Sequence, residues 1–592
     1  MSTTVKPTEK GTAFLTTPVS QSADKIFTLE QRDEEQRWIE ESSAAFIARE
    51  VLPKAEAIDH QEPGLVPGLL KKAGEQGMLS IDVPEEYGGT ELGLLVSALV
   101  GSTMREASFS TAFGAHTTIG TLPIVFYGNE EQKRTYLPKL TSGEWIAAYA
   151  LTEPGVGSDA MHLSARAELS EDGKYYILNG TKQWISNAGF ADMMIVFARI
   201  GDNRPSAFIV EAGWPGVSTG AEERKMGIKG SSTRQVYLEN VKVPVENLLG
   251  EIHKGYKIAF NILNIGRLKL GAGAVGGSRA ALGMAAAYTT ERKAFGKYIS
   301  EFGMIKKKLA RMAAETYAAE SEVFRTADNI EQARRSASDT EGQFKAIEEY
   351  AVEASIAKVH GSEVLAQVVD EGVQIFGGYG FMQEYAIEKA YRDARIQRIY
   401  EGTNEINRLV AAGTLFRRVM SGKIPLMAQY PAIEASVTSG SAPDRSEGIP
   451  AQLSAAVNAI ERAKDVTIYT AMKAAMKYMQ ALESEEEFIE YLANLLIDIY
   501  ASDSALARAV QAVRRGDENA DIHVKLAQLA AWLAFNRIRS NLDQVIATNF
   551  SESEIQEELP RVRAYLGDFL INGVALQREI ADLVVQKQGY PL

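Results

Sequence analysis

The chain has 592 residues and a formal net charge of −14, from 77 acidic and 63 basic side chains. This acidic balance argues against a function that depends on nonspecific attraction to nucleic acid or anionic lipid. The sequence contains no cysteine, which excludes disulfides, thiolate metal sites and cysteine nucleophiles.

The length predicts roughly three or four domains, because a single core does not grow to this size. The six histidines lack the HExxH spacing of a zinc site. No apolar run approaches the ~20 residues of a membrane-spanning helix. The opening residues lack the apolar core of a signal peptide. We therefore expect a soluble intracellular protein that is located in the cytoplasm.

The predicted elements change from helical to β at about residue 146. Residues 1–25 are rich in Thr, Ser and Lys and are expected to be disordered or loosely attached. Residues 26–145 have mostly helical apolar spacing and predict an N-terminal helical domain. Residues 146–255 are rich in β-branched and aromatic residues and predict a compact β domain. Within it, Asn179-Gly180 favours a tight hairpin turn.

Helical periodicity returns in the second half of the chain. Residues 256–420 predict a helical domain that is dense in Gly and Ala, so its helices need tertiary packing to be stable. Residues 421–450 are rich in Pro, Ser and Gly and predict a linker. Residues 451–592 predict an additional, wholly helical domain. The predicted fold class is therefore mainly α with a central β domain.

Two motifs of the β domain have side chains that could hold a flat ring or an anion. "YALTEPGVGSDA" at residues 149–160 combines a tight turn with the hydroxyls of Thr152 and Ser158. "KQWISNAG" places the flat wall of Trp184 beside the hydroxyl of Ser186. Taken singly, an ordinary turn and ordinary core packing explain these two motifs at least as well.

Two further motifs suit phosphate groups. "ERKAFGK" places the guanidinium of Arg292 close to Phe295, although a solvated charged helix face is the commoner explanation. "GVQIFGGYGF" contains Gly377 and Gly378, where a phosphate could approach the backbone. The alternative for the second motif is a plain helix C-cap.

The stretch "RIQRIYEGTNEINRLV" places a carboxylate at the elbow between two predicted helices. Gly402 is the expected left-handed residue that ends one helix, and Thr403 is a good N-cap for the next. Glu401 therefore projects from the elbow. It is either a solvated surface charge or a base held for chemistry.

Together, these segments resemble signatures of the acyl-CoA dehydrogenase family, in the family's order. The segments are "YALTEPGVGSD", "WISNAG", "ERKAFGK", "QIFGGYGF" and "RIYEGTNEINRLV", and the similarity covers about residues 30–420. The resemblance implies a helical domain, a β-barrel domain and a four-helix bundle, with FAD as cofactor and acyl-CoA as substrate. The extra helical region after residue 450 resembles the very-long-chain branch, whose members are homodimers.

The resemblance also implies roles for individual residues. Glu401 is implied as the catalytic base, since Gly266 stands where other members carry the base and has no side chain. The implied cofactor-binding residues are Tyr149, Leu151, Thr152, Gly157, Ser158, Trp184, Ser186, Arg292, Phe295, Gln374, Gly377, Gly378, Thr403 and Glu405. The implied substrate-binding residues are Ser158, Asn264, Arg267, Tyr400 and Gly402.

The implied reaction converts a long- or very-long-chain acyl-CoA to trans-2-enoyl-CoA, a step of fatty acid β-oxidation. Electron-transferring flavoprotein is the implied electron acceptor, and the small residues Gly114 and Ala115 would leave room for a long acyl chain. An acyl-CoA oxidase and a nucleic-acid-binding homologue are the alternatives, and the acidic charge argues against the second. Residues 421–450 contain few basic residues and no clear amphipathic helix, so the sequence leaves membrane association open.

Overall fold

The structure is a computed structural model that describes residues 10–202 and 204–592. Up to residue 300, its α-helices are α1 Val19–Ser22, α2 Glu34–Phe46, α3 Ala55–Asp59, α4 Leu65–Glu75, α5 Leu94–Ser102, α6 Ala107–Gly114, α7 Leu122–Tyr127, α8 Glu130–Thr141 and α9 Gly255–Glu291. The later α-helices are α10 Gly303–Arg335, α11 Thr340–Glu349, α12 Ala351–Phe376, α13 Ala386–Ala394, α14 Asn404–Met420, α15 Leu426–Ser439, α16 Ala451–Tyr478, α17 Glu486–Arg515, α18 Ala520–Asn549, α19 Glu552–Leu566 and α20 Gly573–Lys587.

The strands form one mixed sheet and one small hairpin. They are β1 Ala147–Ala150, β2 Arg166–Leu169, β3 Tyr175–Ser186, β4 Met193–Ile200, β5 Pro205–Glu211, β6 Val217–Thr219, β7 Thr233–Pro244, β8 Leu248–Leu249, β9 Lys293–Ala294 and β10 Lys297–Tyr298. The sheet order is β6-β7-β3-β2-β4-β5-β8, with β1 parallel to β4, and β9 and β10 form the hairpin. The predicted fold class, mainly α with a central β domain, is confirmed.

The chain divides into two compact units. The unit that we call the sheet unit contains Asp33–Gly276 and Arg392–Ile396. Its helices bury Phe46, Leu70 and Phe109 in one core, and its sheet buries alternating residues such as Val196 and Phe208 in a second core. Strands β3 and β7 are the long antiparallel pair of this sheet.

The second unit, which we call the helical unit, contains residues 10–32, Gly277–Tyr391 and Gln397–Leu592. Helices α10, α12, α14, α16, α17 and α18 are its main elements. Several of its contacts are buried ion pairs, for example Arg325 with Asp503 at 2.5 Å. Among the described helices, none combines the length and the apolar composition required to cross a membrane.

The N-terminal segment differs from the prediction that residues 1–25 are disordered or loosely attached. Residues 1–9 lie outside the described part of the chain, but residues 10–25 are packed against the other helices of the helical unit. The Phe14 ring is buried with its centroid 4.7 Å from that of Tyr500, and the backbone N–H of Val19 donates to Glu461 Oε1 at 2.9 Å. Composition alone could not predict this packing, because the few apolar side chains of the segment contact helices that lie hundreds of residues later in the sequence.

Glu353 on α12, which accepts a hydrogen bond from this segment, makes the stability of the chain dependent on pH. Its carboxylate accepts a hydrogen bond from the backbone N–H of Thr12. Burial raises the pKa of Glu353 from 4.5 to about 7, while the N–H of Thr12 and the charge of Arg418 act in the opposite direction. Between these two values the folded chain holds a proton that the unfolded chain has lost, so the free energy of unfolding falls as pH rises.

Replacing Glu353 with glutamine is expected to remove this dependence. At pH 8 the variant should be more stable than the wild-type chain by about 3 kcal/mol, because ionisation of a buried carboxyl is no longer required. At pH 4.5 the two proteins should have similar urea midpoints. The exposed substitution Glu341→Gln is the control, and an equal effect of Glu353→Gln at both pH values would contradict the prediction.

Two other predictions of local structure are corrected. Residues 421–450 are not a bare linker, because α15 forms there and buries Tyr430 against Tyr469, with ring centroids 6.4 Å apart. Asn179-Gly180 is not a hairpin turn but lies inside β3, at a shift in its register with β7. A Cβ on Gly180 would lie 2.6 Å from Cβ of Ala165, so the glycine is required for close approach within the sheet.

Candidate active site

Glu401 lies in a backbone elbow that the sequence predicts only in part. Helix α13 ends at Ala394, and Thr403 caps α14 by accepting a hydrogen bond from the N–H of Ile406 at 3.2 Å. Both Glu401 and Gly402 are left-handed, with φ of 57° and 79°. The glycine was expected in this conformation, but for a glutamate it costs about 1–2 kcal/mol. Surrounding contacts must therefore hold this side chain in place.

Asn407 on α14 provides one set of these contacts. Its side-chain amide donates to the carbonyls of Glu401, Gly402 and Thr403, at 3.4, 2.8 and 3.0 Å. Lys358 on α12 also donates to the Gly402 carbonyl, at 2.7 Å. Sequence reasoning missed both residues. The available signal was a lysine placed within an otherwise apolar helix face.

The other predicted residues of the elbow surround Glu401 along the chain. Tyr400 and Gly402 are half-buried neighbours of Glu401. Glu405 lies in the first turn of α14. Hydrogen bonds from its own backbone N–H and from the Thr403 hydroxyl lower the pKa of Glu405. It is therefore a carboxylate at the positive end of a helix.

The predicted phosphate-binding residues of the helical unit occupy two neighbouring turns. The hairpin of β9 and β10 turns at Phe295-Gly296, where both φ values are positive, and it leaves the Phe295 ring 96% exposed. The guanidinium of Arg292 lies 5.9 Å from the ring centroid of Tyr379. The turn that follows α12 begins at Gly377, with φ of 61°.

That second turn has an accessible backbone. An added Cβ at Gly377 or Gly378 would meet nothing within 4 Å, and Gln374 is exposed on the last turn of α12. The helix end is held by Phe376, whose ring stacks on Tyr288 with centroids 4.1 Å apart. These turns can therefore present backbone groups and a cation to a phosphate.

In the sheet unit, a buried ion pair fastens the loop after β1 to β3. Lys182 Nζ donates to Glu153 Oε1 at 2.7 Å and to the Leu151 carbonyl at 3.2 Å. The backbone N–H of Gln183 donates to the Thr152 carbonyl at 2.9 Å. Burial lowers the pKa of Lys182 to about 8, against the attraction of Glu153. The predicted cofactor residues Leu151 and Thr152 thus depend on Lys182.

Trp184 lies within a break in the register of β3 with β7, two residues before the end of the strand. Its φ is 56°, and its indole is 62% exposed. Ser186 is half-buried two residues later, at the end of the strand. The side-chain amide of Asn187 donates to the Ala112 carbonyl at 2.9 Å. The bulge therefore directs the indole outward from a rigid support.

The remaining predicted residues of this loop have different surroundings. Tyr149 is buried, with its ring centroid 5.0 Å from that of Phe197. Gly157 and Ser158 are exposed, and an added Cβ at Gly157 would meet nothing within 4 Å. Tyr149 is therefore packed within the sheet unit, whereas Gly157 and Ser158 are accessible to a ligand.

His116 is a support for β1 that the sequence did not reveal. It lies in a π-helical turn, Ala115–Gly120, and is buried. Its Nε2 lies 2.9 Å from the Leu140 carbonyl, and its Nδ1 accepts from the backbone N–H of Ala147 at 3.0 Å. Burial lowers its pKa to about 4, so the ring is neutral at physiological pH. These two bonds hold the start of the strand that carries Tyr149.

Asn264 and Arg267, the predicted substrate residues of α9, contact each other. Arg267 Nη1 donates to Asn264 Oδ1 at 2.9 Å, and both side chains are buried. Gly266 lies between them on the same helix and is buried as well. A buried guanidinium with a fixed partner is suited to a polar group of a ligand.

Comparison with known proteins identifies the family of the chain. Family models described as acyl-CoA dehydrogenase match the N-terminal domain over residues 33–144, the middle domain over 148–241, and C-terminal domains over 253–416 and 462–562. A probable acyl-CoA dehydrogenase of Bacillus subtilis (strain 168) is 42% identical over 98% of each chain. The very long-chain specific acyl-CoA dehydrogenase of Homo sapiens is 36% identical over 79% of this chain and 73% of its own.

A solved structure extends the similarity to the whole chain. The acyl-CoA dehydrogenase of Bacillus anthracis, solved as a complex with FAD, has a TM-score of 0.95 and 44% identity. The match covers 99% of this chain and 100% of the other, including the additional helical domain. The chain belongs to the acyl-CoA dehydrogenase family.

Proposed function

We propose that this chain is an FAD-dependent acyl-CoA dehydrogenase that converts long- or very-long-chain acyl-CoA to trans-2-enoyl-CoA, with Glu401 as the base. The observation that supports this proposal most directly is the left-handed conformation of Glu401. A strained glutamate held by Asn407 and Lys358 is a costly arrangement for a surface charge. It suits a side chain whose position matters for a reaction.

The residues of both units have the chemistry that FAD requires. In the sheet unit, the exposed Trp184 indole offers a flat face to an isoalloxazine ring, and the Ser158 hydroxyl is accessible. In the helical unit, Gly377 and Gly378 leave the backbone open to a pyrophosphate, and Arg292 adds a cation. Each of these five residues is among those that the resemblance implies for FAD binding.

The chain itself supplies proton chemistry. FAD, when bound, supplies an oxidised ring that accepts a hydride. Glu401 takes the α-proton of the thioester onto its carboxylate, and the electron pair of the broken C–H bond forms the new double bond as the β-hydrogen leaves with its own pair. Packing of the acyl chain excludes water from the carboxylate and favours this transfer. Asn264 and Arg267 would orient the polar part of the substrate.

The preference for long acyl chains is supported by Gly114 at the end of α6. An added Cβ at this residue would meet nothing within 4 Å, so space is available beside the helix. We expect anaerobic addition of C4 to C20 acyl-CoA to bleach the flavin fastest at C14 or longer. Each buried methylene adds about 0.8 kcal/mol of binding. Maximal bleaching by C4 or C6 acyl-CoA would contradict the long-chain assignment.

Gly114→Leu sharpens this experiment. The larger side chain should slow reduction by C16 acyl-CoA about tenfold relative to C8, as filling a hydrophobic pocket discriminates by about 1–3 kcal/mol. Gly101→Leu on α5, where the added side chain also has open space, is the matched control. An unchanged ratio in Gly114→Leu would show that this space does not receive the acyl chain.

A homodimer is also proposed. The Phe295 ring is 96% exposed, and Phe381 and Met304, also in the helical unit, are 82% and 80% exposed. Phe295 and Phe302 have ring centroids 6.1 Å apart, so these two rings form an apolar patch. Such surfaces mark interfaces in soluble proteins. Sedimentation of the full chain as a monomer at micromolar concentration would contradict the dimer.

The electron acceptor is proposed to be electron-transferring flavoprotein. Reoxidation of the reduced enzyme by this protein should be much faster than reoxidation by oxygen. Rapid peroxide formation without an added acceptor would instead support an acyl-CoA oxidase. The two activities share the first half of the reaction, so this measurement separates them.

A further inference from the structure

The elbow of Glu401 is fastened by a lysine on another helix. Lys358 lies on α12 and is fully buried. Its Nζ donates to the Gly402 carbonyl at 2.7 Å and to Asn404 Oδ1 at 2.6 Å. Removing an ammonium group from water costs several kcal/mol unless strong hydrogen bonds compensate for it. The position of Lys358 is therefore tied to these two oxygens, one of which belongs to the residue after Glu401.

The other groups of Asn404 extend this contact along α12. Its Nδ2 donates to Glu363 Oε1 at 3.0 Å and to Ser362 Oγ at 3.1 Å. These bonds fix the orientation of the Asn404 amide. Because its nitrogen donates to Glu363 and Ser362, its oxygen faces the ammonium of Lys358. Asn404 is thus a rigid acceptor rather than a freely rotating one.

Arg408 connects this network to the additional helical domain. Its guanidinium binds Glu363 through two parallel hydrogen bonds of 2.8 and 3.0 Å. Its Nε donates to Asn494 Oδ1 on α17 at 2.8 Å. Hydrogen bonds therefore run without interruption from Asn494 to the Gly402 carbonyl. A domain that carries none of the proposed catalytic residues reaches the elbow in this way.

We propose that Lys358 is a positioning residue that fixes the elbow of Glu401 through the Gly402 carbonyl, and that Asn494 supports it from the additional domain. This inference rests on the proposed role of Glu401 as the base. The ammonium restrains the Gly402–Thr403 peptide, which lies between Glu401 and the capped helix α14. Without it, the left-handed pair would lose this restraint on its backbone, and the carboxylate would sample other orientations.

The test uses the full-length holoenzyme with Lys358→Met. We expect the variant to bind FAD with unchanged stoichiometry and to be reduced by saturating palmitoyl-CoA ~30- to 100-fold more slowly, since a misplaced catalytic group loses about this much. The KM should change little. The isotope effect measured with α-dideuterated palmitoyl-CoA should rise, because proton removal becomes the slower event. A purely structural role would not change this isotope effect.

Asn494→Ala provides a second, milder measurement. We expect flavin reduction to slow about 2- to 10-fold, which lies within the range of indirect coupling between sites. Asn536→Ala on α18 is the matched control, because its amide donates only to the Trp532 carbonyl of its own helix among the contacts described, at 2.7 Å. The control should match the wild-type enzyme in rate and isotope effect.

The outcomes separate this inference from the proposed function. Reduction of Lys358→Met within ~3-fold of wild type, with an unchanged isotope effect, overturns the inference, provided that Glu401→Gln is inactive. If Glu401→Gln is itself active, the proposed base is wrong and the inference falls with it. If Lys358→Met does not fold, Lys358→Gln, which is neutral but still polar, replaces it. Its reduction rate and isotope effect are then judged by the same two criteria.

Discussion

Replacing Glu401 with glutamine is expected to leave FAD bound and to slow acyl-CoA-dependent flavin reduction at least ~10³-fold. Glutamine has nearly the same shape and can occupy the same left-handed elbow, so the contacts of Asn407 and Lys358 with the backbone should persist. It cannot accept the α-proton at neutral pH. Stopped-flow absorbance under anaerobic conditions measures the loss directly, and the flavin spectrum before mixing reports cofactor content.

A nearby carboxylate supplies the control for this result. Glu384 is exposed in the segment between α12 and α13, and Glu384→Gln removes one negative charge without affecting the elbow. This variant should be reduced at the wild-type rate. If Glu401→Gln were reduced at a rate close to wild type, Glu401 could not be the base, and another acceptor for the α-proton would be required.

Lys182→Met is expected to produce the largest loss of stability. The side chains of Lys182 and Glu153 are both fully buried, and breaking such a pair by removing one partner costs about 3–5 kcal/mol. The loop of Leu151 and Thr152 loses its donor at the same time. We therefore expect a lower urea midpoint and weaker retention of FAD after gel filtration, measured by the ratio of flavin to protein absorbance.

A double variant distinguishes the effect of an unpaired buried charge from the effect of removing the lysine side chain. In the double variant Glu153→Gln with Lys182→Met, no unpaired carboxylate is buried, so part of the lost stability should return. Lys345→Met removes an exposed lysine whose partner Glu341 is also exposed, and it should change the urea midpoint very little. A wild-type midpoint for Lys182→Met would contradict a structural role for the ion pair.

The sequence predicted those features that depend on short stretches of chain. The order of helical, β and helical regions follows from apolar periodicity, and the Thr403 cap of α14 follows from one hydroxyl placed before a helix. The family motifs place Glu401 and the implied cofactor residues at defined positions.

The features that local sequence could not predict are those made by distant residues. The left-handed Glu401 is held by Lys358, 43 positions earlier by the numbering. Residues 10–25 are ordered by contacts with Tyr500 and Glu461, and α15 by Tyr469. From their composition and charge, such segments are predicted to be exposed to solvent. Composition contains no information about the distant surface that covers a segment in the folded chain.

The sequence by itself therefore determined the class of fold, the family and the position of the candidate base. Only the tertiary structure decided how that base is held. Burial makes an isolated lysine or glutamate unfavourable, so each buried charge selects a particular distant partner. Lys182 pairs with Glu153, and Lys358 donates a hydrogen bond to the Gly402 carbonyl. These partners depend on chain packing in three dimensions, which periodicity and motif spacing do not record.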